Sequence, residues 1–207
     1  MPPQEGDSNV STDYTELQLD ALRELANIGS GTAATALASM LGREVELAVP
    51  RALALPLADA VDAVGPADAT VSTVVLPIVG EIEALVLLLF PAADAATLCD
   101  LLGVEPGSEV GDSAIGEIGN ILGTSYINAL ASMTGVALEP KPPHVVCDML
   151  GAIVASLLTG TVGDGETALV LDSELDVADA ACSLSFLLLP TSGGVAELLG
   201  RLGVGSA

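Results

Sequence analysis

From about Thr15 to Leu41, apolar residues return every three or four positions: Leu17, Leu22, Leu25, Ile28, Ala33, Leu37, then Met40 and Leu41. That spacing predicts one stripe of a long amphipathic helix, with Gly42 as its stop. Gly29 and Gly31 fall inside the run, where each costs a helix about 1 kcal/mol against Ala, so they point to close approach by another part of the chain or to a bend. Glu44 to Val49 alternates charged and apolar residues and predicts a strand ending at Pro50. Leu57 to Val64 reads as a short helix closed by Gly65-Pro66. Thr70 to Leu76 and Glu81 to Phe90 read as two strands joined by a turn at Pro77 to Gly80. Behind Pro91, a residue favoured at helix starts, Ala92 to Leu102 makes a short helix ending at Gly103.

Val104 to Gly111, carrying Pro106 and Gly107, is the seam, and after it the order repeats. Asp112 or Ser113 can cap a helix reaching about Met133, with Gly135 beyond. Val136 to Lys141 matches the first strand and Met149 to Leu158 the short helix. Thr167 to Leu171 and Ala181 to Leu189 match the hairpin, and Val195 to Leu202, behind Pro190, matches the last helix.

The repetition extends to identities. Adding 93 to a residue number pairs Glu24 with Glu117, Asn27 with Asn120, Ile28 with Ile121, Ala36 with Ala129, Met40 with Met133, Gly42 with Gly135 and Pro50 with Pro143. The reading is a single α/β (α+β) domain over residues 13–207, an internal duplication of repeats 13–103 and 112–203 about a pseudo-two-fold axis. Its sheet is covered by the two long helices, and residues 1–12 form a polar, disordered lead-in.

Composition narrows the chemistry. Half the chain is apolar but only 2% is aromatic, so the core must be built from Ala, Val, Leu and Ile. The formal charge is -23, with Arg23, Arg43, Arg51, Lys141 and Arg201 as the only fixed cations. No basic patch can form on so few, which argues against nucleic acid and against anionic membrane surfaces. The charge reads as a solubility device. Cys99, Cys147 and Cys182 are three, widely spaced and set among apolar residues, so they read as buried free thiols of a reducing compartment. The first residues carry no signal-peptide pattern, and the most apolar tract, Val71 to Pro91, is broken by Pro77, Glu81 and Glu83. A cytoplasmic protein is expected.

Asp20, Glu24 and Asn27 lie at i, i+4 and i+7, along one face of the first long helix, and Ser113, Glu117 and Asn120 do so on its repeat. The apolar stripe takes the other side, so both lines should face solvent. Gly31 follows on the first line and Thr124, also small, on the second. A Glu and an Asn on an exposed helix ordinarily mean only a solvated face. Here the acid and the amide are kept in both copies while neighbours such as Arg23 and Gly116 differ, and Asn is a poor helix-interior residue, so a task is implied. The remaining candidates are weaker. His144, the single histidine, follows Pro142-Pro143 and reads as a turn residue; Asp172/Glu174/Asp176 and Asp59/Asp62 lack a calcium-loop pattern and read as solvated charge.

The string Asp/Ser-x3-Glu-x2-Asn-x22-Pro occurs as Asp20/Glu24/Asn27/Pro50 and again as Ser113/Glu117/Asn120/Pro143. It resembles the signature of the CheC-type phosphatases, a family that includes CheX and the phosphatase part of FliY and acts on the phosphorylated chemotaxis regulator CheY. The duplication within one chain resembles the CheC branch, and an end at Ala207 without a motor-switch domain speaks against FliY. The resemblance implies hydrolysis of the aspartyl phosphate of a CheY-like regulator. Asn27 and Asn120 would hold the attacking water, and Glu24 and Glu117 would pair with the regulator's active-site Lys. Asp20, Gly31, Ser113 and Thr124 would belong to the docking surface. It implies no cofactor or metal on this chain, Mg²⁺ arriving in the partner's phosphorylation site, and a second partner, the receptor deamidase CheD. With -23 charges meeting an acidic regulator pocket, activity is expected to rise with ionic strength. The alternative is a non-catalytic binding module that regulates CheD or a receptor complex.

Overall fold

The computed structural model describes residues 16–158, 167–177, 180–190 and 194–201; the lead-in expected at 1–12 lies outside them. In chain order the elements are α1 (Glu16–Leu41), β1 (Val45–Pro56), α2 (Leu57–Val64), β2 (Thr70–Gly80), β3 (Ala84–Pro91), α3 (Ala92–Leu102) and α4 (Glu109–Thr134). Then follow β4 (Leu138–Pro140), β5 (His144–Met149), α5 (Leu150–Leu158), β6 (Thr167–Val177), β7 (Ala180–Pro190) and α6 (Gly194–Leu199). The offset of 93 carries α1 onto α4 end for end, and β1 onto the span from β4 to β5.

All seven strands form one antiparallel sheet in the order β1-β6-β7-β3-β2-β4, with β5 also paired to β2. The β2–β3 and β6–β7 hairpins meet at its centre through β3 and β7. β1 then adds to β6, whereas β4 and β5 add to β2. The first strand of each half therefore completes the hairpin of the other half.

Alternation along the strands gives the sheet two apolar faces. On one, Val74, Leu76, Val86, Leu88, Leu171 and Phe186 pack under α1, α3, α4 and α6. On the other, Val71, Val75, Leu87, Val170 and Leu187 pack under α2 and α5. The result is a three-layer sandwich whose larger core lies beneath the two long helices.

Several local expectations change. The first strand does not end at Pro50: β1 is an edge strand, and its register with β6 slips between Ala48 and Arg51, where a proline lacking N–H is tolerated. Pro77 lies inside β2 and the turn falls at residues 81–83. Pro77 sits between the last β5 pairing, Val75 with His144, and the first β4 pairing, Ile78 with Pro140, so its missing N–H interrupts no ladder; its carbonyl accepts from the Lys141 N–H at 2.8 Å. Pro142-Pro143 makes that gap, splitting the second copy of β1 into β4 and β5, and His144 opens β5 rather than a turn.

The cap of α4 is Ser108, whose Oγ accepts from the Gly111 N–H at 3.0 Å; Asp112 and Ser113 already lie inside the helix. β6 extends to Val177, so Asp172, Glu174 and Asp176 are strand residues. Asp172 is not free solvated charge: it pairs with Arg51 and accepts from the Ser185 hydroxyl at 2.7 Å. Cys99 and Cys182 are buried as expected but Cys147 is exposed. Burial pushes the Cys182 thiol up to about 11, with Asp94 and Asp176 adding to it.

Candidate functional site

The two long helices pack against each other where Gly29 of α1 meets Tyr126 of α4. A Cβ on Gly29 would collide with Tyr126 Cδ1 and lie 2.9 Å from Cε1, so only glycine admits the ring there. Tyr126 is buried edge-on to Phe186, ring centroids 5.1 Å apart, and its hydroxyl lies 3.3 Å from Ser173 Oγ. Burial holds its phenol above the usual tyrosine range. The sequence reading of Gly29 as a point of close approach agrees with this. A Cβ on Gly31 would meet nothing within 4 Å, and that position faces open space.

On α1 the buried positions are Leu22, Leu25, Ala26, Gly29, Ser30, Ala33 and Leu37. At about 100° per residue they wrap roughly 140° of the helix, and the line Asp20, Glu24, Asn27, Gly31 lies diametrically opposite. All four are exposed. Asp20 pairs with Arg23 at 2.7 Å, while the side chains of Glu24 and Asn27 have no partner among the described residues. Asn27, Ile28, Gly31, Thr35 and Ser39 line a shallow, open depression along the helix. Ile28, expected in the apolar stripe, lies instead beside Asn27 at 43% exposure.

α4 sits deeper. Its buried residues include Gly111, Ile115, Gly116, Ile118, Gly119, Leu122, Gly123, Tyr126, Ile127 and Leu130, wrapping roughly 200° at the same helical step. The glycines allow this. Cβ atoms would lie 2.5 Å from Val74 at Gly119, 2.7 Å from Leu76 at Gly123 and 3.2 Å from Val145 at Gly116. Ser113 and Glu117 are exposed, but Asn120 and Thr124 are only half-exposed, because the wider buried arc reaches the edge of their line. The expectation that both lines lie fully in solvent holds for α1 and fails for the lower half of the α4 line. Thr124 Oγ1 donates to Asn120 Oδ1 at 3.5 Å, a contact with no counterpart at Gly31. α4 has no Lys or Arg, and Glu109, Asp112 and Glu117 leave its line acidic, where α1 has Arg23.

Each line thus offers a carboxylate one turn ahead of an uncharged amide. The carboxylate can pair with a cation, and the amide can donate and accept at once, so it can orient a water without titrating. Sequence reasoning missed two neighbours, Ile28 and the hydroxyl of Thr124. The helical wheel places Ile28 off the buried arc, and that is the signal that finds it.

Other parts of the molecule supply less. A depression of about 260 Å³ on the opposite face of the sheet holds Arg51, Asp172, Ser183 and Ser185, but its cation is already paired with Asp172 and donates to the Ala63 carbonyl. Among the described residues no three His, Cys, Asp or Glu side chains are placed to hold a metal ion. No described helix is long and apolar enough to cross a membrane.

Comparison with known proteins agrees with the geometry. The sequence profile of the CheC-like family matches residues 17–53 and 110–147, which contain both lines and both prolines. The chain is 35% identical over 168 residues to the CheY-P phosphatase CheC of Bacillus subtilis (strain 168), covering 77% of this chain and 80% of that one. It is 27% identical over 177 residues to the putative CheY-P phosphatase CheC1 of Halobacterium salinarum, covering 83% and 89%. Among solved structures, Thermotoga maritima FliY superposes with a TM-score of 0.74 at 20% identity, covering 93% of this chain and 98% of that one, a likeness of fold.

Proposed function

Since the chain belongs to the CheC-like family, we infer that it is a phosphatase that hydrolyses the aspartyl phosphate of a CheY-like response regulator. An aspartyl phosphate is already a reactive acyl phosphate. Its hydrolysis needs a water held in line with the breaking P–O bond and stabilisation of charge on the phosphoryl oxygens. In this reading the regulator lays its phosphorylated pocket on the outward line of α1 or α4. Asn27 or Asn120 holds the water through its amide. The water oxygen attacks phosphorus, the bond to the aspartate oxygen breaks, and the regulator's carboxylate is restored.

Glu24 or Glu117, one turn earlier, pairs with the regulator's active-site lysine and sets the register. Asp20 and Gly31, or Ser113 and Thr124, belong to the contact surface, and Ile28 adds an apolar patch beside Asn27. Mg²⁺ enters with the regulator's own acidic pocket. The reaction takes place in the cytoplasm, where such regulators work. The receptor deamidase CheD is a second partner in this reading, supported by family membership alone; failure of the two purified proteins to co-migrate would remove it.

One observation carries the reading: the same acid and amide stand on the outward faces of both long helices, 93 residues apart, inside both segments that the family profile matches. The test is the lifetime of a phosphorylated CheY-like protein. The chain should shorten it, and Asn27→Ala with Asn120→Ala together should return it to the unassisted value. A doubly substituted protein as active as the parent would show the mechanism to be wrong.

A further inference from the structure

We propose that Thr124 is a positioning residue for Asn120, fixing the orientation of its amide at the α4 site; the proposal rests on the phosphatase reading above. Five threonines lie in the described helices. Four of them, Thr32, Thr35, Thr97 and Thr134, donate their hydroxyls to the backbone carbonyl four residues back, at 3.1, 3.0, 3.0 and 2.7 Å. That is the ordinary habit of a helical threonine. Thr124 departs from it: its hydroxyl goes to the Asn120 side chain, Oγ1 to Oδ1, and not to the Asn120 carbonyl.

The consequence for the amide is directional. A terminal amide torsion is broad and roughly two-fold, so an unheld Asn presents either its oxygen or its nitrogen to a given point. With Oδ1 turned toward Thr124, Nδ2 is left free to donate on the other side, and the second lone pair of Oδ1 remains to accept from a water. Both residues are half-buried, which reduces competition from bulk solvent. At 3.5 Å the contact is long for O–H···O, as hydrogen bonds at catalytic groups often are before the partner arrives. On α1 the equivalent residue is Gly31, so Asn27 has no such restraint. The two sites therefore differ in how far the amide is arranged beforehand, and the α4 site is the better arranged.

The experiment reads the α4 site alone, in an Asn27→Ala protein, with a phosphorylated CheY-like regulator as substrate. Thr124→Val keeps the shape and drops the hydroxyl. It should lower kcat about three- to tenfold with KM for the regulator unchanged, and Thr124→Ser should restore kcat. Thermal melting of each variant checks folding, and Thr124→Ala takes the place of Thr124→Val if the valine protein does not fold. Unchanged kcat, a serine variant as slow as the valine, or a raised KM at constant kcat overturns the proposal. So does an Asn27→Ala protein with no activity while the parent is active. Failure of the phosphatase reading is seen separately, as a parent protein that does not shorten the regulator's phosphorylated lifetime.

Discussion

α1 and α4 are copies of one helix set in two different environments. α1 lies at the margin over the edge strand β1, buries a narrow arc and leaves its line in open solvent. α4 lies over β2 and β3 with three glycines against the sheet, and half of its line is drawn into the surface. The copies share the residues that carry the proposed chemistry and differ in what surrounds them: Arg23 against Gly116, Gly31 against Thr124, and an exposed Ile28 against a packed Ile121. Duplication preserved the acid and the amide, and packing made the two sites unequal.

The largest test of this inequality is to remove one amide at a time. Asn120→Ala and Asn27→Ala should each slow their own site about a hundredfold, as misplacement of a reacting water does. Because the α4 amide is arranged beforehand, Asn120→Ala should take away more of the total rate at saturating regulator. Single-turnover measurements giving the reverse order break the comparison.

Next comes packing depth. Gly119→Ala puts a methyl 2.5 Å from Val74 and should cost about 1–3 kcal/mol in urea unfolding, as overpacking of a close contact does. Gly31→Ala meets nothing and should stabilise by about 0.5–1 kcal/mol, since alanine restricts the unfolded chain and suits a helix. If the depression beside Asn27 is where the regulator rests, the same substitution raises KM at the α1 site. Opposite signs in the two stability measurements sharpen the comparison; equal costs at both glycines dissolve it.

Smaller effects follow from charge. An acidic regulator pocket should associate faster with either site as salt rises. The slope should be steeper for an Asn27→Ala protein, which relies on the cation-free α4, than for an Asn120→Ala protein, whose working line has Arg23 beside it, paired with Asp20. The smallest effect concerns the end of α4. The Ala137 N–H donates to Glu81 Oε1 at 3.0 Å, and Arg201 pairs with the same carboxylate. The Ala137 hydrogen bond, and then Arg201, hold Glu81 below its ordinary carboxylate range against an opposing effect of burial. The stability this group adds is present above its unfolded pKa and is lost as pH falls through its lower folded value. Glu81→Gln should remove that part of the acid sensitivity, seen as a flatter melting temperature across the acid range.

Much of this was legible in the sequence. Periodicity gave both long helices, the short helices, the hairpins and the duplication, and the i, i+4, i+7 spacing put Glu and Asn on one face. Beyond the α4 cap, His144, Asp172 and Ile28 already described, three differences show what spacing alone does not carry. Pro50 and Pro77 looked like strand ends, because a proline's tolerance depends on whether the neighbouring strand needs its N–H, a property of pairing that spacing does not carry. Cys147 was expected inside, yet an exposed position on β5 places it outside. The unequal burial of Asn27 and Asn120 depends on which copy lies centrally on the sheet. The signal for that was present: Gly116, Gly119 and Gly123 recur along one face of α4 where α1 has Arg23, Ala26 and Ser30.

The exchange of first strands between the halves also governs how the chain reaches its native state. Arg51 on β1 and its partner Asp172 on β6 are 121 residues apart, so an early strand must wait for most of the chain before it is paired. Folding dominated by such distant pairings is slow compared with helical bundles, and the unpaired β1 edge is exposed to association meanwhile. A half-length fragment would hold a first strand and a hairpin that do not pair with each other. Two such fragments could close the same sheet between them, as a homodimer with one Glu- and Asn-bearing long helix from each partner.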